Sequence, residues 1–314
     1  MGKYIALDGG TTNTRLRLIA NGVILAVEKL SIGAGNAGGK EKWSAAVAEA
    51  AKKLLEKNGL KESDISAVIA SGMVTSEYGL CPLAHLPSPA GIDELHNGMK
   101  ETQIAGIGIP CFFIPGVKQV ADRAENADMM RGEEAEVIGL LAFGGENCTY
   151  VLPGTHSKHV TVDGEGKITH FQTFMTGEMI AALSSATILR DAVDLSVEGY
   201  DPEALLSGYD AAVKNGLGAA LFKTRIMKNL YSADARACYS FFLGALLSDE
   251  IQSLARGEEK RVLIAGKSAL RNPMVCLIEK RTDLVSVDCD ADAIENAAVR
   301  GAVRIFEYGE KSNA

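Results

Sequence analysis

The sequence predicts an α/β protein of two similar domains, and three observations carry that expectation. The chain has 314 residues, a length that suits two domains better than one. Hydrophobic residues make up 47% and charged residues 23%, ordinary soluble usage with apolar material for two cores. One run of supersecondary structure also occurs twice, and such internal repetition is a direct clue to architecture.

The first copy opens the chain. Tyr4 to Leu7 is an apolar run, Asp8 to Asn13 a Gly/Thr turn, and Arg15 to Ile19 alternates polar with apolar. Asn21-Gly22 gives a two-residue hairpin signal ahead of Val23 to Leu30. A helix is expected from about Lys40 to Lys57, where Trp43, Val47, Leu54 and Leu55 recur at helical spacing and Asn58-Gly59 is the stop. Ala67 to Ala70 reads as a short buried strand. Gly and Pro are frequent from about Ser71 to Gly116, which predicts loops around a strand at Cys111 to Ile114. A further helix is expected from near Gly132 to Phe143.

The second copy repeats the pattern. Tyr150 to Leu152 is a strand, Pro153-Gly154-Thr155-His156-Ser157 a turn, His159 to Val162 a strand, Asp163-Gly164 a turn and Lys167 to Phe171 a strand. Helices are expected from about Thr176, Pro202, Gly216 and Asp234. Arg261 to Ala265 is a buried strand ending at Gly266, and Leu284 to Val287 is another. A single final helix is expected over Ala291 to Tyr308. No Ser/Gly-rich linker parts the halves, so they are expected to pack around a cleft. The boundary falls near Glu146, giving domains 1–146 and 147–314.

Composition excludes several classes of partner. The net charge of −8 implies no basic surface, so neither nucleic acid nor a phospholipid surface is expected as a partner. Six cysteines are scattered without a C-x-x-C pair, which argues for reduced, mostly buried thiols rather than a disulfide framework or a zinc site. The opening Met1-Gly2-Lys3 runs straight into a strand and offers no signal h-region. The longest apolar stretch, about Ile104 to Val117, is broken by Gly106, Gly108, Pro110 and Pro115 and cannot span a bilayer as a helix. A cytoplasmic location is expected. Self-association into a homo-oligomer is left open.

Each copy places a Gly-Thr turn between two strands. Such turns present backbone N–H groups and hydroxyls with little bulk, which suits phosphate oxygens. Asp8, a carboxylate at the end of a buried strand, is awkward structurally yet well placed to orient a hydrated Mg²⁺.

With these residues in view, Leu7-Asp8-Gly9-Gly10-Thr11-Thr12-Asn13-Thr14-Arg15 resembles the first phosphate motif of the actin, Hsp70 and sugar-kinase superfamily. Leu152-Pro153-Gly154-Thr155-His156-Ser157-Lys158 resembles its second phosphate motif, and Val262 to Leu270 its adenosine motif. Four further stretches are similar to 2-dehydro-3-deoxygalactonokinases: Ser71-Gly72-Met73-Val74, Leu86-Pro87-Ser88-Pro89-Ala90, Met129-Met130-Arg131-Gly132-Glu133-Glu134 and Thr173-Phe174-Met175-Thr176-Gly177-Glu178. They stand in the family's order and cover nearly the whole chain. Two positions depart from the family: Gly9 stands where an aromatic residue is usual, and Lys267 replaces a small residue.

The resemblance implies two ribonuclease H-like, actin-like ATPase domains with a nucleotide cleft between them. It implies transfer of the γ-phosphoryl of ATP, with Mg²⁺, to the 6-hydroxyl of a sugar acid, 2-dehydro-3-deoxy-D-galactonate, in galactonate breakdown. Gly9, Gly10, Thr11, Thr12, Gly154 and Thr155 are then the phosphate binders, Gly266 and Ser268 line the adenosine pocket, and Asp8 serves the Mg²⁺ shell through water. Related kinases place a carboxylate base at the start of the helix before the second phosphate motif, which here falls on Glu133, with Asp128 as competitor. Without the resemblance, Glu133 reads as a helix N-terminal charge favoured by the dipole. Arg131 suits the substrate carboxylate, because a guanidinium offers two parallel hydrogen bonds; a surface ion pair to Glu133, Glu134 or Glu136 is its plain alternative. Asn36, Ser71 and Met73 complete the expected substrate set. His156 is expected to be a structural hydrogen bonder. Lys158 and Arg15, on the strands after the two turns, stand either near phosphates or on solvated strand faces.

A dehydrogenase is the competing enzyme class, because Gly33-Ala34-Gly35-Asn36-Ala37-Gly38 matches G-x-G-x-x-G between a strand and a helix. Its strand is third in a hairpin meander, not the first of a parallel βαβ unit, and Glu56 lies late in the following helix. The glycines are instead expected to form a mobile loop beside the sugar site. No Walker A sequence is present, which sets aside P-loop kinases. A kinase for another sugar is a nearer alternative. A non-enzymatic ATP-binding regulator would carry an added peptide-binding or DNA-binding module, for which the chain is expected to leave no room.

Overall fold

The first meander forms as expected. In the computed structural model, which describes residues 2–266 and 269–312, β1 (Lys3–Gly9), β2 (Thr14–Ala20) and β3 (Val23–Leu30) pair antiparallel. α1 (Lys40–Lys57) buries Trp43, Val47, Leu54 and Leu55 in the same core as Ile5, Leu7, Leu16 and Leu18. β4 (Ala67–Gly72) then adds parallel to β1.

The region expected to be loops around a single strand is more ordered than that. It holds β5 (Leu86–Pro87), α2 (Ile92–Asn97) and β6 (Lys100–Thr102) besides the expected strand, β7 (Cys111–Phe113), and β8 (Val117–Gln119) and β9 (Asp128–Met130) follow it. Apart from β7, these elements are too short to display a period in the sequence. β7 and β6 complete a six-stranded sheet in the order β3-β2-β1-β4-β7-β6, while β5, β8 and β9 form a separate small sheet. α3 (Glu133–Gly144) follows.

The second meander repeats the first. β10 (Cys148–Leu152) pairs antiparallel with β11 (Ser157–Val162), and β12 (Ile168–Phe174) lies beyond it. After α4 (Thr176–Ala186), α5 (Pro202–Asn215), α6 (Leu217–Tyr231) and α7 (Ala235–Arg256), β13 (Arg261–Ile264) joins β10 in parallel, as β4 joins β1. α8 (Arg271–Arg281) leads to β14 (Val285–Val287), which closes a five-stranded sheet. The expected final helix is two, α9 (Ala291–Glu295) and α10 (Ala297–Ser312), separated at Asn296.

Two compact units result, but their membership corrects the division at 146/147. One unit is Met1–Gly145 with Asp163–His170 and Glu295–Ala314; the other is Glu146–Val162 with Phe171–Ile294. The physical reason is the packing of α10. Val299 joins Ala6 and Ile19 in a small core, and Phe306 packs edge-on to Tyr4 with ring centroids 5.5 Å apart. Arg304 Nη1 donates to Ile138 O on α3 at 2.8 Å. The two helices meet through glycine: a Cβ on Gly301 would collide with Ala135 O, and one on Gly139 with Ala297 O. Gly301→Val is therefore expected to lower stability by about 1–3 kcal/mol through overpacking. Urea unfolding checks this; an unchanged midpoint would mean that the close helix crossing is not maintained in solution.

All six cysteines are free thiols, four of them buried. Among the described residues no helix is long and apolar enough to cross a membrane.

Candidate active site

In the first unit, the C-terminal ends of the parallel strands β1 and β4 lie side by side, Asp8 opposite Ser71 and Gly9 opposite Gly72. Ligands of parallel α/β sheets commonly bind at this end. β1 leads into a tight turn closed by Gly10 N donating to Asn13 O at 2.8 Å, with Thr11 and Thr12 exposed at its tip. Asp8 stands at the turn's base, with Arg15 Nη1 at 3.6 Å and Arg17 Nη1 at 3.9 Å from Oδ2. One carboxylate on an open turn suits Mg²⁺, which takes one or two carboxylates alongside phosphate oxygens and water.

Gly9, the departure from the family pattern, has a local cause. A Cβ here would collide with Val74 Cγ1 and lie 3.0 Å from the ring of Trp43. The Trp43 indole donates to Thr14 Oγ1 at 2.9 Å, and Thr14 donates to Ile32 O at 2.6 Å. The space beside Gly9 is thus filled by Val74 and by Trp43 of α1.

The G-x-G-x-x-G segment is a brace on this turn. Ala34 N donates to Gly10 O at 3.1 Å and Gly35 N to Thr11 O at 2.7 Å. Gly33 is small because any Cβ would run into the Gly10 carbonyl. Asn36 accepts from Gly33 N at 2.7 Å and donates to Thr12 O at 3.2 Å, so its amide is spent on the loop and the turn. The expectation of a mobile loop gives way to one hydrogen-bonded to the Gly10–Asn13 turn.

The start of α3 reaches the same place. Gly72 and Gly132 both have positive φ, and a Cβ on Gly132 would lie 3.2 Å from Gly72 Cα. Gly72 is close to Asp8, whose Oδ1 would be 3.6 Å from a Cβ there. This back-to-back contact brings Asp8, Ser71 and the Arg131-Gly132-Glu133 corner together. Ser71 is buried and Met73 is half-buried against the first core. Glu133 Oε2 accepts from Arg131 N at 3.0 Å. Asp128 lies away from the corner at the start of β9, opposite Gln119, with its Oδ1 accepting from Met129 N at 2.7 Å.

Arg131 is held by groups the sequence did not single out. Its Nη1 donates to Thr75 Oγ1 at 2.5 Å, and its Nη2 donates to Leu83 O at 3.0 Å and lies 3.2 Å from the His85 ring nitrogens. Thr75 in turn donates to Gly72 O at 3.0 Å. No carboxylate hydrogen-bonds the guanidinium among the described residues. Burial holds the Arg131 guanidinium below its ordinary value. Burial, then Arg131 and Lys118, push His85 below the ordinary imidazole range.

Glu134 was also missed. It is fully buried, both its oxygens lie 2.8 Å from Gly132 N, and burial next to Glu133 pushes it up to about 8. Because its folded value lies above its unfolded one, the stability it contributes is fully present below about pH 4.5 and is lost as pH rises through about 8. Glu134→Gln, neutral and nearly isosteric, should flatten the fall in stability across that window. Urea unfolding at several pH values checks this; equal slopes in parent and variant would show that Glu134 does not carry the proton.

The second unit carries the matching turn. Gly154 and Thr155 follow β10, and α4 rests on them: Glu178 N donates to Thr155 O at 3.2 Å, and a Cβ on Gly177 would lie 2.6 Å from Thr155 Cα. His156 Nε2 is 3.0 Å from Glu178 Oε1, and Lys158 is buried on β11. Gly266, at the end of β13, has φ +83° and approaches the backbone itself, since a Cβ would lie 2.9 Å from Pro153 O. Ser268 and Lys267 lie outside the described residues.

Two meanders of one topology, each with a Gly-Thr turn after its central strand, make up the actin-like ATPase fold. The family model described as 2-keto-3-deoxy-galactonokinase matches residues 8–305, and the chain belongs to that family. It is 27% identical over 270 residues to the 2-dehydro-3-deoxygalactonokinase of Escherichia coli (strain K12), covering 85% of this chain and 86% of that one. Its fold is similar to the crystal structure of a Sinorhizobium meliloti protein assigned as a 2-dehydro-3-deoxygalactonokinase, with TM-score 0.77, 24% identity and 96% of each chain covered. A more distant likeness is xylulose kinase from Lactobacillus acidophilus, with TM-score 0.55, 11% identity and coverage of 100% of this chain and 90% of that one.

Proposed function

We propose that the protein transfers the γ-phosphoryl group of ATP to the 6-hydroxyl of 2-dehydro-3-deoxy-D-galactonate. Membership of the family supports the reaction class, and one observation supports the assignment of roles: the contact of Gly72 with Gly132, which gathers Asp8, the first phosphate turn and the start of α3 at one corner. Thr11, Thr12 and the turn at Gly154 and Thr155 bind phosphate oxygens through hydroxyls and backbone N–H groups. Asp8 holds the water shell of Mg²⁺, which when bound neutralises charge on the phosphates. Glu133 takes the proton of the attacking hydroxyl as its oxygen bonds to the γ-phosphorus and the bond to the β-phosphate oxygen breaks. Arg131 faces the carboxylate end of the substrate. Gly266 lies by the adenosine. The reaction belongs to the cytoplasm, where ATP is made and thiols stay reduced.

The test is a coupled ADP-release assay with Mg²⁺ over a panel of neutral sugars and 2-keto-3-deoxy sugar acids. The galacto acid should be turned over with the highest kcat/KM. A neutral sugar used better than every acid would overturn the substrate assignment.

A further inference from the structure

The second unit contains a buried polar cluster that the sequence reading left out and that the proposed chemistry does not use. Glu250 lies on α7 among Leu246, Leu247, Ile251 and Leu254 and is fully buried. Three hydrogen bonds reach its carboxylate. Ser157 Oγ donates to Oε2 at 2.7 Å, His159 Nε2 is 2.9 Å from the same oxygen, and Thr176 Oγ1 donates to Oε1. Ser157, His159 and Thr176 are buried as well. Burial by itself would raise Glu250, but the bonds from His159, Thr176 and Ser157 outweigh it and hold the carboxyl below its ordinary range. An ionised carboxylate with three donors is the form in which a buried Glu is tolerated.

The cluster's position matters more than its stability. Ser157 begins β11, directly after the turn Gly154-Thr155-His156. Thr176 begins α4, the helix whose next two residues, Gly177 and Glu178, touch Thr155. One side chain from α7 therefore ties down the residue that leaves the phosphate turn and the helix end that rests upon it. A helix N-terminus offers N–H groups and a partial positive charge to anions, so its placement relative to the turn decides how well phosphate is held.

We infer that Glu250, through Thr176 and Ser157, is a positioning residue that sets the second phosphate turn against the N-terminus of α4 and so tunes affinity for the polyphosphate of the nucleotide. The inference rests on the kinase reading above. It concerns the phosphates alone: the adenosine segment at Gly266 follows β13, and the hydrogen bonds of Glu250 go to Ser157, His159 and Thr176 instead.

Thr176→Val removes one donor at nearly constant volume. Losing a buried hydrogen bond to a charged partner is expected to raise the KM and Kd for ATP by about ten-fold. The KM for the sugar acid and the Kd for AMP should stay within about two-fold, since neither depends on this turn. Thr176→Ser, which restores the hydroxyl, should return ATP affinity to near the parent's. Ser157→Ala severs a different bond to the same carboxylate and should give the same selective pattern, so the inference remains testable if Thr176→Val does not fold. ATP and AMP weakened equally would show a merely structural role and overturn the inference. So would ATP affinity unchanged in both variants. A parent enzyme that binds no ATP would overturn the kinase reading itself, which keeps the two failures apart.

Discussion

Glu133→Gln is expected to lower kcat by about 10²–10⁴-fold, the range for a lost general base, while the sugar acid still binds. Three carboxylates compete for the role. Glu134 is fully buried with both oxygens against Gly132 N, so a substrate hydroxyl cannot reach it. Asp128 is reachable, but it sits at the head of β9 and caps its own neighbour's N–H, away from the Gly72–Gly132 contact. Glu133 is the first residue of α3, half-exposed, on the corner beside Asp8. Its Oε2 accepts a hydrogen bond from Arg131 N, which orients the side chain. Steady-state kinetics of Glu133→Gln and Asp128→Asn decide the matter. The large fall in kcat must appear in the first; its appearance only in the second would transfer the role to Asp128.

The parts of this molecule that the sequence disclosed share one property: each announces itself over a full period or a full motif. β1 to β3 and β10 to β12 were legible because strand alternation and Gly-Thr turns occur twice. α1 was legible from Trp43, Val47, Leu54 and Leu55. What stayed hidden was either too short or depended on the third dimension. β5 has two residues and β6, β8 and β9 three each, below any periodic signal. The return of α10 to the first unit rests on Gly139 and Gly301 meeting across the helices, and neither glycine differs in sequence from a glycine in a loop.

The same distinction runs through the site. Asp8 and the Gly-Thr turns stood out, and the G-x-G-x-x-G decoy was set aside from its strand context. Its glycines turn out to serve close approach after all, to the backbone of the neighbouring turn rather than to a dinucleotide. Glu134 and Glu250 carried a signal that went unused. Glu134 precedes Val137 and Ile138 by three and four residues, and Glu250 follows Leu247 and Leu246 at the same spacings. A carboxylate in the apolar phase of a helix must find donors inside the protein, and both do. His85 carried no such signal, because only the fold brings it to Arg131 from forty-six positions away.

Arg131→Lys is expected to raise the KM for the sugar acid by about ten-fold or more and to leave the KM for ATP nearly unmoved, because a lysine cannot reproduce a guanidinium's spread of donors. A kinase for a neutral sugar has no use for a half-buried guanidinium beside its base, whereas a 2-keto-3-deoxy acid carries a carboxylate about 6 Å from its terminal hydroxyl on bond-length grounds. With Glu133 at that hydroxyl, Arg131 two residues earlier is suited to the other end. The guanidinium is anchored by Thr75 and Leu83 O and has no carboxylate partner among the described residues. Burial disfavours its charge more than Glu134 favours it, a cost that an arriving carboxylate would relieve. Nη2 already meets both Leu83 O and His85, so a two-pronged contact requires the imidazole to move aside. A charge-assisted contact of this kind contributes on the order of 1.5–3 kcal/mol, and the tenfold figure takes its lower end. Lysine keeps the charge but reaches Thr75 and the substrate with a single ammonium, so one of the two is lost. The measurement varies each substrate in turn at saturation of the other. A sugar-acid KM within about two-fold of the parent's, or a rise in the ATP KM instead, would remove Arg131 from the sugar site.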